Sequence, residues 1–236
     1  MHTLDLLLTL IGEALYRRQQ IVTEHRAGRQ FPDIYLNIPK LAEWLNKNKV
    51  VKELLEDDCL DYMHNVQYAE KVQRVIKFMV NSNTLKRDSL TAMWHAQVGK
   101  HDAIVTNVHT LLAGLAEHFT PAHLDHLLMC FKETWGGTVQ NMQKSLQLIG
   151  TLAKGEQEGH VASQVLTLTW DLAHNTDTPT SIVDAALLSH LSILGGVQRA
   201  DMCDDVLTMC RLVKETNLKY INKIIQHRNW KKIKTH

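Results

Sequence analysis

Apolar residues recur every three or four positions along most of this chain. Over residues 3–25, Leu4, Leu7, Leu8, Ile11 and Leu15 fall on one side of a helix. The segment FPDIYLNIPK then interrupts the pattern with two prolines. Two short helical stretches follow, LAEWLNKN and VVKELLED. In VQYAEKVQRVIKFMV, residues 66–80, Val72, Val75, Ile76 and Met79 repeat at i, i+3, i+4 and i+7 and predict an amphipathic helix.

From residue 84 the helices come in pairs. Thr84 is placed to cap LKRDSLTAMWHAQV, which Gly99 stops. Asp102 is placed to cap AIVTNVHTLLAGLAEHF. Thr120-Pro121 opens PAHLDHLLMCFKETW, ended by Gly136-Gly137, and Thr138 opens VQNMQKSLQLIGTLAK, ended by Gly155. HVASQVLTLTWDLAH and, after Pro179, TSIVDAALLSHLSIL complete the series at Gly195-Gly196. First members begin near 85, 121 and 161, second members near 103, 139 and 181, a period of 36 to 42 residues. That period belongs to two-helix repeats. The expected fold is all-α, an armadillo/HEAT-like helical-repeat solenoid in which each pair covers its apolar stripe with the next. The expected organisation is an N-terminal helical part over 1–83, paired repeats over 84–196, and a divergent basic tail over 197–236.

Composition narrows the function classes. A net charge of +1 provides no global field for nucleic acid. The tail is an exception: residues 211–236 hold eight Lys and Arg against Glu215 alone, about +7, leaving about −6 on residues 1–210. A solvated basic helix end is the plain reading, and an RNA contact the alternative. The apolar run at the N-terminus is broken by Asp5 and Glu13 and has no secretory pattern. Cys59, Cys130, Cys203 and Cys210 form no CxxC pair, so they read as reduced thiols of a cytoplasmic protein.

Several clusters invite chemistry. The stretch GKHD lacks the rest of a phosphate loop and follows no strand, so Gly99, His101 and Asp102 read as a helix corner, with His109 two turns further along. His123, His126 and Cys130, at i, i+3 and i+7, could hold zinc if a fourth ligand arrived, but they border the apolar face of Leu124, Leu127, Leu128 and Phe131. His174, three residues after Asp171, suits the end of a helix dipole. Trp94, Trp135 and Trp170 recur 41 and 35 residues apart as core pieces, or else one indole opens into a partner groove. Cys203 and Cys210, with Met202 and Met209, look like core filler rather than activated thiols. No catalytic residue, metal site or cofactor site emerges. The exposed, polar corner of Lys100, His101, Asp102 and Asn107 is the expected partner-binding surface.

The stretches LNIPKLAEWLNKNKVVKELL, QYAEKVQRVIKFMV, AQVGKHDAIVTNVHTLLAGLA, LDHLLMCFKETW and VLTLTWDLAH resemble the long helical region of the fat facets-type ubiquitin-specific proteases. The resemblance runs in order from about residue 34 to about 194 and fades toward both ends. It implies a parent family that hydrolyses ubiquitin isopeptide bonds with a cysteine protease site in a separate catalytic domain. Neither the Cys box nor the His box of that domain is present here, so no catalytic residue carries over. What the resemblance implies is a non-catalytic armadillo-like scaffold. Its expected partners are other proteins, either ubiquitylated substrates or domains of the parent chain, with no membrane, no nucleic acid and no small-molecule substrate. The rivals are a stand-alone helical-repeat adaptor protein and a thiol hydrolase using Cys130 with His126 or His123. An array cut within its stack exposes apolar faces that terminal caps hide, so the isolated chain is expected to self-associate.

Overall fold

The computed structural model describes residues 2–26, 37–155 and 159–196, and among these every regular element is a helix. Two compact units divide the chain, Met1–Trp135 and Gly136–His236. The FPDIYL segment before Asn37 and the whole basic tail lie outside the described residues.

The first unit begins with α1 (His2–Arg26), which buries Leu4, Leu8, Ile11 and Ala14 and leaves Leu15 exposed. Asp5 of α1 meets Lys71, and that ion pair holds the Asp5 carboxyl below its usual range. α2 (Ile38–Lys47) starts where Asn37 accepts from the Lys40 amide at 2.9 Å, with Pro39 in the first turn. α3 (Val50–Leu55), α4 (Asp57–Leu60) and a 3-10 turn (Asp61–His64) lead into α5 (Val66–Asn81). α5 buries Tyr68, Ala69, Val72, Val75, Ile76, Phe78, Met79 and Val80, a stripe wide enough to meet α1 on one flank and α7 on the other.

α6 (Arg87–His95) is shorter than the sequence pattern suggests. Thr84 does not cap it: its hydroxyl and amide both turn back to the Met79 carbonyl, at 3.2 and 3.0 Å, closing α5 instead. α7 (Asp102–Ala113) likewise stops at Gly114, and a 3-10 turn (Ala116–His118) follows. α8 (Pro121–Glu133) has the expected Thr120 cap, completed by the His123 ring as a capping box. α6 packs on α8 through Trp94, which is 1% exposed, stands edge-on to Phe131 at 6.1 Å and donates its indole N–H to Thr134 Oγ1 at 2.8 Å. Thr134 passes the bond on to the Cys130 carbonyl at 2.8 Å.

The second unit is built from α9 (Val139–Lys154), α10 (His160–His174) and α11 (Thr180–Gly196). Thr138 caps α9, as its place in the sequence indicates. α11 packs on both other helices and carries one charged residue, Asp184, so nearly every side of it is apolar or small. Gly150 lets α9 and α11 approach closely: a Cβ there would stand 3.1 Å from Ser189 Cβ. Ser189 donates to the Leu146 carbonyl at 3.3 Å, and Gln143 Nε2 to Ser181 O at 3.0 Å, fixing the register.

Two substitutions test this packing by chemical denaturation. Trp94→Ala is expected to cost about 3–5 kcal/mol in the first unit, and Trp94→Phe less, about 1–3 kcal/mol, from the lost hydrogen bond and a smaller cavity. Gly150→Val is expected to cost the second unit about 1–3 kcal/mol by overpacking.

Candidate functional site

The corner between α6 and α7 is built by Gly99, which takes φ +69, a left-handed conformation that suits glycine. His101, not Asp102, is the N-cap of α7: its Nδ1 accepts the Ala103 amide at 3.3 Å. Asp102 occupies the first helical position, where a carboxylate favours the positive end of the helix. A histidine that accepts at Nδ1 carries its proton on Nε2 and offers no lone pair there to a metal. The ring of His64 lies 5.4 Å from that of His101, tilted by 48°.

Of the four residues expected at the partner surface, Lys100, His101 and Asp102 are exposed. Asn107 is half-buried and its amide is engaged, donating to the carbonyls of Met63 at 2.7 Å and His64 at 3.3 Å. Asn107 therefore holds the 3-10 turn that presents His64 to His101. His109 turns to Gln97, a buried side chain whose Nε2 has no hydrogen-bond partner among the described residues.

The histidine–cysteine set on α8 separates into different tasks. His123 is spent on the Thr120 cap, and burial lowers its pKa. His126 Nε2 meets Thr91 Oγ1 of α6 at 2.8 Å and Cys130 Sγ at 3.8 Å. Cys130 is 2% exposed, and burial pushes its thiol pKa up. A nucleophilic cysteine needs an accessible, stabilised thiolate; this one is enclosed and held as the thiol. Among the described residues no three His, Cys, Asp or Glu side chains gather as a metal site.

In the second unit His174 Nδ1 donates to the Trp170 carbonyl at 2.7 Å, the last-turn contact its position suggests. The Trp170 ring sits between His174 at 4.1 Å and His190 at 5.8 Å. His190 is 3% exposed, and its Nδ1 lies 2.9 Å from Thr169 Oγ1. The Thr169 hydroxyl donates to Val165 O at 2.9 Å, so it accepts from a neutral His190. Burial lowers the His190 pKa, opposed by a bond to Leu166 and aided in smaller part by the nearby His174.

The sequence pattern did not reveal His64, Thr91 or the Thr169–His190 pair, since each meets its partner across helices. Trp44 was also missed. At 51% exposure it is an outward indole, whereas Trp94 is in the core and Trp135 and Trp170 are half-buried. A count of apolar positions signals it, because the buried stripe of α2 is already filled by Leu41, Ala42 and Leu45. Cys203, Cys210, Met202 and Met209 lie outside the described residues. No helix among the described residues is long and apolar enough to cross a membrane.

Residues 1–233 match the family model described as UBP24/USP9X/USP9Y ARM repeat. The match extends beyond the stretch of direct resemblance and takes in both ends of the chain. Ubiquitin carboxyl-terminal hydrolase 9X of Mus musculus is 40% identical over 171 residues, 72% of this chain and 6% of that protein. The probable ubiquitin carboxyl-terminal hydrolase FAF of Drosophila melanogaster is 39% identical over 161 residues, 68% of this chain and 6% of its own length. Ubiquitin carboxyl-terminal hydrolase 24 of Homo sapiens is 29% identical over 160 residues, covering 67% and 6%. The chain thus spans about 6% of the length of the curated relatives it matches.

The His190 environment has a pH signature. The folded pKa lies below the unfolded value of about 6.5, so the contribution is complete above that pH and is lost as pH falls through it toward the folded value. For one such group the slope is at most about 1.4 kcal/mol per pH unit. Denaturation midpoints at stepped pH should fall with this sign below about pH 6.5, and His190→Gln should flatten the dependence.

Proposed function

This chain belongs to the UBP24/USP9X/USP9Y ARM repeat family, and from that premise we propose that it is a non-catalytic scaffold segment of a fat facets-type ubiquitin hydrolase. It acts by protein–protein contact in ubiquitin-dependent turnover, in the cytoplasm. Its partners are ubiquitylated substrates or other domains of the parent chain. The parent activity, cleavage of ubiquitin isopeptide bonds by a cysteine protease site, resides in a domain that this stretch does not supply.

One observation carries the reading. The cysteine that meets a histidine among the described residues, Cys130, is packed 2% exposed between helices, while the charged side chains Lys100 and Asp102 face outward. Repeat helices arranged this way offer surface rather than a cleft. The contact surface in this reading is the corner of Lys100, His101 and Asp102, with Asn107 holding it in shape from beneath.

Two measurements test it. A ubiquitin probe with an electrophilic C-terminus should form no adduct with the full chain; covalent capture at Cys130 overturns the reading. The double substitution Lys100→Glu, Asp102→Lys should weaken binding of a ubiquitin-conjugated protein by about tenfold, the effect of losing one good contact. Circular dichroism should be unchanged. Equal binding by both chains removes the corner from the contact surface.

A further inference from the structure

An open groove of about 550 Å³ lies between the C-terminal half of α2 and the turn joining α5 to α6. Its walls include Glu43 and Lys47 on one side and Leu85 and Lys86 on the other. Asn46 spans the groove at the base, donating to Thr84 O at 2.7 Å and to Ala42 O at 3.3 Å. Leu85 is 7% exposed and anchors the far wall.

Trp44, 51% exposed, lies on α2 between Glu43 and Asn46, two residues that line the groove. It shares the outer face of α2 with Lys40 and Lys47, at i−4 and i+3. The lining holds Lys47 and Lys86 against Glu43, and Lys40, Lys49 and Arg87 lie within three residues of lining positions along the chain. Lys40, Lys47, Lys49, Lys86 and Arg87 have no ion-pair partner among the described residues, against the carboxylates of Glu43 and Asp88. On the neighbouring helix α3, by contrast, Lys52 is paired with Glu56 at 3.4 Å. α6 also begins at this edge, and its N-cap residue Lys86 makes no side-chain cap, so the positive end of the helix dipole adds to the same field.

An exposed tryptophan is the residue type that dominates contact energy, and an excess of positive charge selects the sign of the partner. We infer that this groove docks an acidic peptide segment of another protein, with an aliphatic or aromatic side chain lying against the outward indole of Trp44 and carboxylates at Lys47 and Lys86. The inference rests on the protein-contact reading above and deepens it by naming the partner's chemistry. Two other occupants fit less well. A second copy related by two-fold symmetry would bring like charges together. A single-stranded nucleic acid calls for a series of stacking rings, whereas one indole is offered here and Glu43 faces the phosphates.

Selection of short random peptides on the immobilised full chain tests the inference. The expected peptides are rich in Asp and Glu around one Leu, Ile or Phe. A synthetic peptide from that set should bind by fluorescence anisotropy and weaken as salt rises. Trp44→Ala, and separately Lys47→Glu with Lys86→Glu, should each weaken it by about tenfold or more, while Trp44→Phe retains most of the affinity. All of these positions lie outside the core, and unchanged circular dichroism confirms the fold of each variant. Peptides without acidic enrichment, or equal affinity for wild type and both groove variants, overturn the inference. So does a uridine-rich RNA that binds where the acidic peptide does not, or a dimer that Trp44→Ala dissociates. If the groove test fails while Lys100→Glu, Asp102→Lys still weakens binding of a ubiquitin conjugate, the groove falls and the scaffold reading stands.

Discussion

A helix that is apolar on nearly every side cannot face water on any of them without loss, and α11 is such a helix. Ile182, Val183 and Ala186 are wholly enclosed, and α11 packs against both α9 and α10. The same demand, in a milder form, governs α5, whose buried stripe is too broad for one neighbour. Helix caps and turns settle where each element starts and stops. What makes the elements stand is mutual coverage, which is why a two-helix repeat gains its stability from its neighbours.

Coverage alone does not fix how helices slide along one another. That task falls to a few polar side chains reaching across. Asn46 reads the Thr84 carbonyl, Asn107 reads two successive carbonyls of the 3-10 turn, and Trp94 reads Thr134. In the second unit Gln143, Ser189 and Thr169 do the same. A buried donor left without its acceptor is costly, so each pairing excludes a slipped alternative. The order these contacts impose is what gives the outward faces a constant shape.

The all-α class and the paired helices are legible in the sequence because a period near 3.6 leaves its mark on every amphipathic segment. Thr120 and Thr138 are legible too, since a capping residue acts on its own chain a few residues away. Thr84 and Asp102 show the limit. Each has the right chemistry to cap, but Thr84 closes the preceding helix and the ring of His101 reaches the α7 amide first. The corner residues were visible as polar and near a glycine. Their supports were not: nothing in local spacing joins Asn107 to Met63, or His101 to His64, because those contacts exist only once the helices have packed. Trp44 lay within reach of the same periodic reading, as the large side chain left over when the buried stripe of α2 is counted.

The close approach at Gly150 constrains how this chain can change. With Ser189 Cβ 3.1 Å from where a Cβ would sit, the two positions share one small volume. A larger residue at either one has to be answered by a smaller one at the other, or the two backbones must part along the length of the contact. Ser189 is already about as small as a side chain can be while keeping its bond to Leu146. Exchange at this crossing is therefore nearly closed in one direction, and variation in the second unit is steered toward its outer faces.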